Sequence, residues 1–490
     1  MTLAKLDAWA PVTRIVGALT QGFAFVMLLP AIVEYFSKTG KSEDALVFFL
    51  CACFTFFCGY IIAQTHRFGN EKIKLKQAFL ATTLSWIALS FFGSLPFMFT
   101  SLNLSFTDAL FETISGLTTT GSTVLTGLDD MSKGILFWRS LTQWLGGLGV
   151  IVLSLAAFPA LRLGGFQLFK AEAFSTPDQI LPRATLIAGQ IALFYVAGSF
   201  ICMLGYIAVG MSGFDAINHA MTTIATGGMS THDDSFGYFN NVKIEMIAII
   251  FMIYGSLPFA LYVQFFAGRF RALFADSQVR FFLILLVVFS SIIWGYQLYQ
   301  GTPSDQKTVM ESLFNITSIM TGTGYATTDY TLWGSFSVTL FFIIMFIGGC
   351  AASTSCGVKI FRVQVVIEVV RRYAYQMIYP NGVFSMRFNG RILPSDVATS
   401  VIHFFIVYFF SFLVLAGALN LTGLDTITAL SGAGTAISNV GPGLGEVIGP
   451  AGNFQPLPDS AKWILSFGML LGRLELFAIL IFFLPSFWRE

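Results

Sequence analysis

Ten stretches of this chain are apolar for about 20 residues or more, the length a helix needs to cross the hydrocarbon of a bilayer. They lie near residues 12–37, 43–65, 76–100, 137–161, 184–212, 239–268, 279–300, 333–372, 393–421 and 461–488. In lipid a backbone must satisfy its own hydrogen bonds, which leaves helices and closed barrels. Stretches this long read as helices. Composition agrees: 11% of the 490 residues are charged, against about 25% in an ordinary soluble domain. The mean hydropathy is +0.75. So little charge cannot cover a water-exposed surface, and the solvent is therefore largely lipid. The net charge of +1 gives nucleic acid no electrostatic handle. The opening MTLAKLDAWAPVTR lacks the apolar core and small-residue cleavage site of a secretory leader, so the first span is expected to remain in the protein. Six cysteines show no metal-ligand spacing with the four histidines and read as small buried apolar residues.

Four apolar segments are too short to cross: 107–120, 214–226, 308–323 and 425–440. Segments of this size are buried or re-entrant helices. Each sits between two full spans. With a cytoplasmic N-terminus and all four segments entering and leaving on the outer side, 18 of the 27 Lys and Arg residues lie inside and seven outside. That bias is the one expected of cytoplasmic loops.

After two leading spans, the order span, short segment, span therefore recurs four times. The closing loops read LTTTGST, TIATGGM, MTGTGYA and ISNVGPG, and align on Gly121, Gly227, Gly324 and Gly441. An acid opens each short segment: Asp108, Asp215, Glu311 and Asp425. Carboxylates suit a helix N-terminus. One Thr-Gly pair in a membrane helix is ordinary close packing. Four at equivalent places imply four copies of one unit about a common axis.

Such turns suit a cation path. Non-helical backbone at membrane depth is tolerated only inside protein or along a watery cavity. A ring of backbone carbonyls can replace the hydration shell of K⁺, and glycine permits the backbone angles required. No carboxylate falls within the loops, which favours a carbonyl filter over a divalent-cation cage. The short helices would aim their negative C-terminal ends at the bilayer centre. As a ring, Asp129, Asp130, Asp233, Asp234, Asp329, Glu446 and Asp459 in the outer loops would concentrate cations there; taken singly, each reads equally as a solvated loop charge.

These residues resemble the Trk/Ktr/HKT superfamily over essentially the whole chain. QWLGGLGVIV (143–152), RLGGFQLFKAEAF with LPR (162–174 and 181–183) and IGGCAASTSCGVKIFR (347–362) resemble its TrkH branch. The resemblance implies an all-α polytopic membrane protein: a two-helix region (1–70), then four helix–pore loop–helix (MPM) repeats (71–175, 176–275, 276–385 and 386–490) about one pore. It implies potassium-binding residues at Thr119, Thr120 and Gly121, at Ala225, Thr226 and Gly227, at Thr323 and Gly324, and at Asn439, Val440 and Gly441. In plant relatives, serine in the first loop accompanies sodium selectivity, so glycine here implies potassium. The fourth loop departs from Thr-Gly, which implies a filter without strict four-fold symmetry.

The eighth span is broken by GGCAASTSCG (348–357). The resemblance implies an intramembrane loop that obstructs the pore, with Gly348, Gly349, Ser353, Thr354, Ser355 and Gly357 in it. Arg473 lies about 12 residues into the last span, where a charge is expensive unless it faces the pore or a polar partner. It is expected to hydrogen-bond this loop and repel cations when closed. Lys359 is expected to assist, or else to anchor the inner face. The resemblance further implies a bacterial inner-membrane location, a homodimer, and a separate TrkA-type cytoplasmic ring that binds NAD(H) or ATP. No cofactor is expected on this chain beyond bound K⁺. The glycine runs SGAGTA and GPGLGEVIG follow no strand and are not nucleotide sites.

Other classes fit less well. A carrier built on inverted repeats needs alternating orientations, whereas these four share one. An enzyme needs a nucleophile–base pair or a metal-ligand spacing, and neither is present. A proton- or sodium-coupled symporter of the same fold stays open. His219 and His403, in apolar helices, read as core residues.

Overall fold

The computed structural model describes residues 9–37, 42–64, 74–156 and 180–488. The motif at 162–174 and the basic residues Lys5, Arg67, Lys72 and Lys170 lie outside the described residues. Helices α1 (Ala10–Phe36) and α2 (Ser42–Gln64) lead the chain and pack along each other. Glycines permit the contact: a Cβ on Gly17 would sit 2.6 Å from the Gly59 carbonyl, and one on Gly59 3.0 Å from that of Gly17.

Four copies of one pattern follow. The first is α3 (Leu75–Phe99), short α4 (Phe106–Leu117) and α5 (Lys133–Ala156). The second is α6 (Ile180–Ala208), short α7 (Gly213–Ile224), α8 (Val242–Ser256) and α9 (Phe259–Phe266), with a linking turn α10 (Arg271–Ala275). The third is α11 (Ser277–Tyr299), short α12 (Gln306–Met320), α13 (Ser335–Ile344) and α14 (Ile360–Ile378). A hairpin, β1 (Arg387–Phe388) with β2 (Arg391–Ile392), leads to the fourth. That unit is α15 (Ser395–Leu421), short α16 (Thr426–Ser438), α17 (Asp459–Arg473), α18 (Phe477–Leu480) and a final turn α19 (Pro485–Trp488).

Side-chain caps start the short helices. The Ser105 and Ser212 hydroxyls accept the N–H of Asp108 and Asp215, both at 3.1 Å. Asp305 and Asp425 cap α12 and α16 directly. Such caps satisfy donors that a buried helix start would otherwise orphan. Glu311 does not open its helix as expected; α12 begins at Gln306, and Glu311 falls in its second turn.

The membrane crossings also differ from the sequence reading. Among the described residues, α1, α2, α3, α6, α11 and α15 are long and apolar enough to cross; counting the bent pair α8–α9 and the bent α17–α18 region as one span each brings the number to eight. The sequence suggested one interrupted span, the eighth. Two others are bent as well, by 93° between α8 and α9 and by 109° after α17. Pro258 starts the first bend, since it lacks the N–H that would continue the helix. The second bend passes through Glu475 and Leu476, whose φ angles are 54° and 56°.

We predict that Gly17→Leu separates α1 from α2 and destabilises the protein by about 1–3 kcal/mol, read as a lower thermal midpoint in detergent. Ion selectivity should be unchanged, because neither helix supplies a loop to the central ring. Altered selectivity would show that these helices reach the pathway.

Candidate ion pathway

Each short helix ends in a turn of the same shape. A residue with positive φ stands two places before a glycine with positive φ: Thr119 and Gly121, Thr226 and Gly228, Gly322 and Gly324, Asn439 and Gly441. The residue between them donates its N–H five residues back: Thr120 to Ser115 (2.9 Å), Gly227 to Thr222 (2.9 Å), Thr323 to Ser318 (2.8 Å) and Val440 to Thr435 (3.1 Å). These bonds close the C-terminal ends of the helices. They also correct the register. The counterpart of Gly121 in the second turn is Gly228, one place beyond Gly227, and Ala225 is the C-cap of α7. Gly322, not singled out in the sequence, is the counterpart of Thr119.

The four turns meet in a closed ring. A Cβ on Gly121 would collide with the carbonyl oxygen of Gly227, one on Gly228 with that of Thr323, and one on Gly324 with that of Val440. A Cβ on Gly441 would lie 2.7 Å from the carbonyl oxygen of Thr120, which closes the circle. Each glycine is therefore required twice, for its positive φ and for the neighbour's approach. The glycines of α5 help seat the ring. A Cβ on Gly146 would strike the Leu117 carbonyl, and one on Gly147 would lie 3.1 Å from Cα of Ala225.

Side chains cross-link the turns. Ser122 donates to the Gly441 carbonyl at 2.7 Å. Asn439 Nδ2 donates to Thr120 Oγ1 and to the Met469 carbonyl, both at 2.9 Å. Gln143 Nε2 donates to the Gly227 carbonyl at 2.6 Å, and its Oε1 accepts from Met229 N at 3.0 Å. Behind the first turn, Arg139 and Glu112 form a 2.8 Å ion pair, both side chains being at most 1% exposed. Glu112 also accepts the Val124 N–H at 3.0 Å, while Arg139 Nη1 donates to the Ser230 carbonyl at 2.8 Å. The pair thus ties the exit of the first turn to that of the second.

The loop between α13 and α14 lies under the ring. Its backbone is satisfied by the bend between α8 and α9. Cys350 N donates to the Ser256 carbonyl (2.9 Å), Thr354 N to that of Gly255 (3.1 Å), and Phe259 N to that of Ala352 (3.2 Å). Gly348 and Ile360 close the loop's own base on Val358 and Gly349. Ser355 Oγ accepts from Gly349 N, and Ser353 Oγ donates to the Cys350 carbonyl. Gly357 takes a φ of 71°. Thr354 Oγ1 donates to the Gly255 carbonyl at 2.8 Å, lies 3.1 Å from the Ile224 carbonyl oxygen and accepts from Thr226 Oγ1 at 3.2 Å, which links loop and ring.

Arg473 is 3% exposed and reaches this loop. Its Nη1 donates to the Thr354 carbonyl at 3.1 Å and lies 2.7 Å from Cys356 Sγ; Nη2 donates to the Gly146 carbonyl at 2.8 Å. Lys359 Nζ donates to the Ser355 carbonyl. Glu475, two residues on, pairs with Arg362 at the start of α14 at 2.5 Å. Both sides of the loop are therefore held by the bend that follows α17.

On the outer side, His232 Nδ1 lies 2.5 Å from Asp129 and Nε2 3.5 Å from Asp215, and its ring stacks on Tyr238 at 3.5 Å. Burial alone would lower its pKa. Hydrogen bonds and charge from Asp215 and Asp129 outweigh that and hold it above its usual 6.5. His219 is buried as expected, bonded to the Asp215 carbonyl and Ser230 Oγ. His403 is not a core residue; it is exposed on α15 beside a cavity of about 360 Å³ that Arg362 and Glu475 also line. That Glu112, Arg139 and Gln143 reach the turns is not legible from spacing, since Arg139 and Gln143 meet partners 84 to 91 residues away and Glu112 is drawn in through Arg139.

Residues 46–489 match the family described as TrkH, cation transport protein. The Trk system potassium uptake protein TrkI of Halomonas elongata is 41% identical, over 99% of this chain and 98% of that relative. The Trk system potassium uptake protein TrkH of Escherichia coli is 37% identical, over 98% of this chain and 99% of that relative. The crystal structure of the potassium transporter TrkH from Vibrio parahaemolyticus superposes with a TM-score of 0.89 at 35% identity, covering 98% of this chain and 99% of that one.

Two outcomes follow from the geometry. Arg139→Met should cost about 3–5 kcal/mol by leaving Glu112 buried and unpaired, seen as loss of folded protein in membranes. Adding Glu112→Gln should recover much of that loss; equal loss in single and double variants would mean that the pair does not act as a unit. His232 is more easily protonated folded than unfolded, so its contribution is complete below its usual 6.5 and lost as pH rises through its raised value. The thermal midpoint should fall across that window, and His232→Gln should flatten the fall. An identical slope in the variant would remove His232 from the effect.

Proposed function

Because the chain belongs to the TrkH family of cation transport proteins, we propose that it takes up potassium through the ring of four turns. One observation carries the reading: four carbonyls abut four positive-φ glycines in a closed circle. Backbone oxygens in such a ring take the place of water around a dehydrated monovalent cation. The oxygens are those of residues 119–121, 226–228, 322–324 and 439–441. The negative ends of α4, α7, α12 and α16 favour the cation there. No side chain in these triplets is charged, which suits K⁺ better than a divalent ion. The relatives' names, as potassium uptake proteins and a potassium transporter, support the same cargo.

The loop 348–357 is the gate in this reading. In the closed state Arg473 places a guanidinium beneath the ring, and Lys359 adds a second cation at the loop's inner end. Opening requires Arg473 to release Thr354 and Cys356. The membrane potential supplies about 2.3 kcal/mol per charge per 100 mV for inward movement. The units are the repeats 71–175, 176–275, 276–385 and 386–490 after the pair 1–70. The protein sits in the bacterial inner membrane with its N-terminus inside and works as a homodimer. A TrkA-type ring, carrying NAD(H) or ATP, docks on the basic inner loops 162–183 (largely outside the described residues), 269–280 and 359–391 and biases the gate.

In a strain lacking potassium uptake, expression should restore growth at low K⁺, more strongly when TrkA is supplied. Failure to restore growth with TrkA present would overturn the reading. Arg473→Ala removes charge-assisted hydrogen bonds worth about 1.5–3 kcal/mol and should raise open probability about tenfold or more in single-channel records. An unchanged open probability would take Arg473 out of the gate.

A further inference from the structure

We infer that Gln143 is a positioning residue for the second turn, supplying from the neighbouring repeat the brace that Gly227 cannot make. The inference rests on reading the ring as a potassium filter. In the first and third turns the middle residue is a threonine. Thr120 bonds Thr118, and Thr323 bonds Thr321, hydroxyl to hydroxyl at 2.7 Å in each case. Those turns are tied to the ends of their own short helices. In the second turn the middle position is Gly227, which has no side chain to tie.

Gln143 fills that place. A Cβ built on Gly227 would meet its carboxamide, with Nε2 at 2.7 Å. The side chain is fully buried. It comes from α5 of the first repeat, four residues before Gly147 and on the same helix face. Gly147 is the point at which α5 touches Ala225. The donor of the carboxamide holds the Gly227 carbonyl at 2.6 Å, and its acceptor holds Met229 N at 3.0 Å. One planar group thus spans both sides of Gly228. This matters because the peptide between Gly227 and Gly228 has no Cβ on either side, so it is the peptide of the ring most free to rotate. Gln143 locks its plane. In each of the first three turns a side chain therefore engages the middle residue: Thr118 and Thr321 hold Thr120 and Thr323 from within their own repeats, with Asn439 also reaching Thr120, and Gln143 holds Gly227 from the neighbouring repeat.

The test is the K⁺/Na⁺ permeability ratio of the full-length protein in lipid bilayers, with folding checked by a monodisperse profile and the thermal midpoint. Gln143→Met keeps volume and loses both bonds; Gln143→Ala loses bonds and volume. Each should lower the ratio about fivefold to tenfold, as expected for a hydrogen bond removed from a buried site. Gly227→Thr alone should be damaging, because its side chain collides with Gln143. Combined with Gln143→Ala the collision is relieved, but Ala225 offers no hydroxyl to pair with the new threonine as Thr118 pairs with Thr120 in the first turn, so the ratio should stay as low as in Gln143→Ala alone. A wild-type ratio in Gln143→Met, or in the double variant, would overturn the inference while leaving the filter reading intact. A wild-type protein that does not prefer K⁺ would end the filter reading and this inference together.

Discussion

A peptide group inside a membrane has no water to bond, so each one outside a helix needs a partner in the protein, and each failure costs several kcal/mol. Most of the architecture follows from that rule. The loop 348–357 breaks one span and exposes its N–H groups; the bend at Pro258 breaks another and exposes carbonyls. Ser256 and Gly255 accept from Cys350 and Thr354, and Ala352 accepts from Phe259. Either interruption alone would be a defect in hydrocarbon. Together they satisfy each other, which is why two adjacent repeats are broken where their backbones meet.

At the ring the same rule is met by geometry. The turns fold back onto the ends of their helices by bonds spanning five residues, and their glycines let the next carbonyl approach. The first repeat is tied to both its neighbours by side chains. It gives Gln143 and Arg139 to the second repeat and Ser122 to the fourth, and it receives Asn439. A buried ion pair such as Arg139–Glu112 is weak evidence of stability. Its use here is positional, because the two residues fix where the chain leaves two of the turns. Arg473 differs: it is a buried guanidinium with two carbonyls and a sulfur for partners and no carboxylate among its bonds. In the proposed gate, its positive charge acts on the space beneath the ring.

Much of this was legible in the sequence. Gly121, Gly324 and Gly441 stood at the end of apolar segments too short to cross, and the run GGCAASTSCG could not continue a helix. Arg473 was costly enough in its span to demand a polar partner. Other features depended on contacts that spacing does not encode. TGG offers two glycines, and only the bond from Gly227 to Thr222 shows that Gly228 takes the place of Gly121. MIYGSLPFALY reads as one continuous span, because the loop that stabilises its bend comes about 95 residues later. Glu311 looked like a helix opener because it precedes its glycine at the usual distance, yet Asp305 makes the capping bonds. Glu475 looked like a bystander to Arg473 until the left-handed bend turned it onto Arg362.

The central claim is that backbone oxygens held in a closed ring discriminate among monovalent ions by replacing their water. Its most direct measurement is the reversal potential of the purified protein in a planar bilayer, with KCl on one side and NaCl on the other. A potassium filter displaces that potential far toward the K⁺ equilibrium value. A reversal near zero, with current carried equally by both ions, would contradict it.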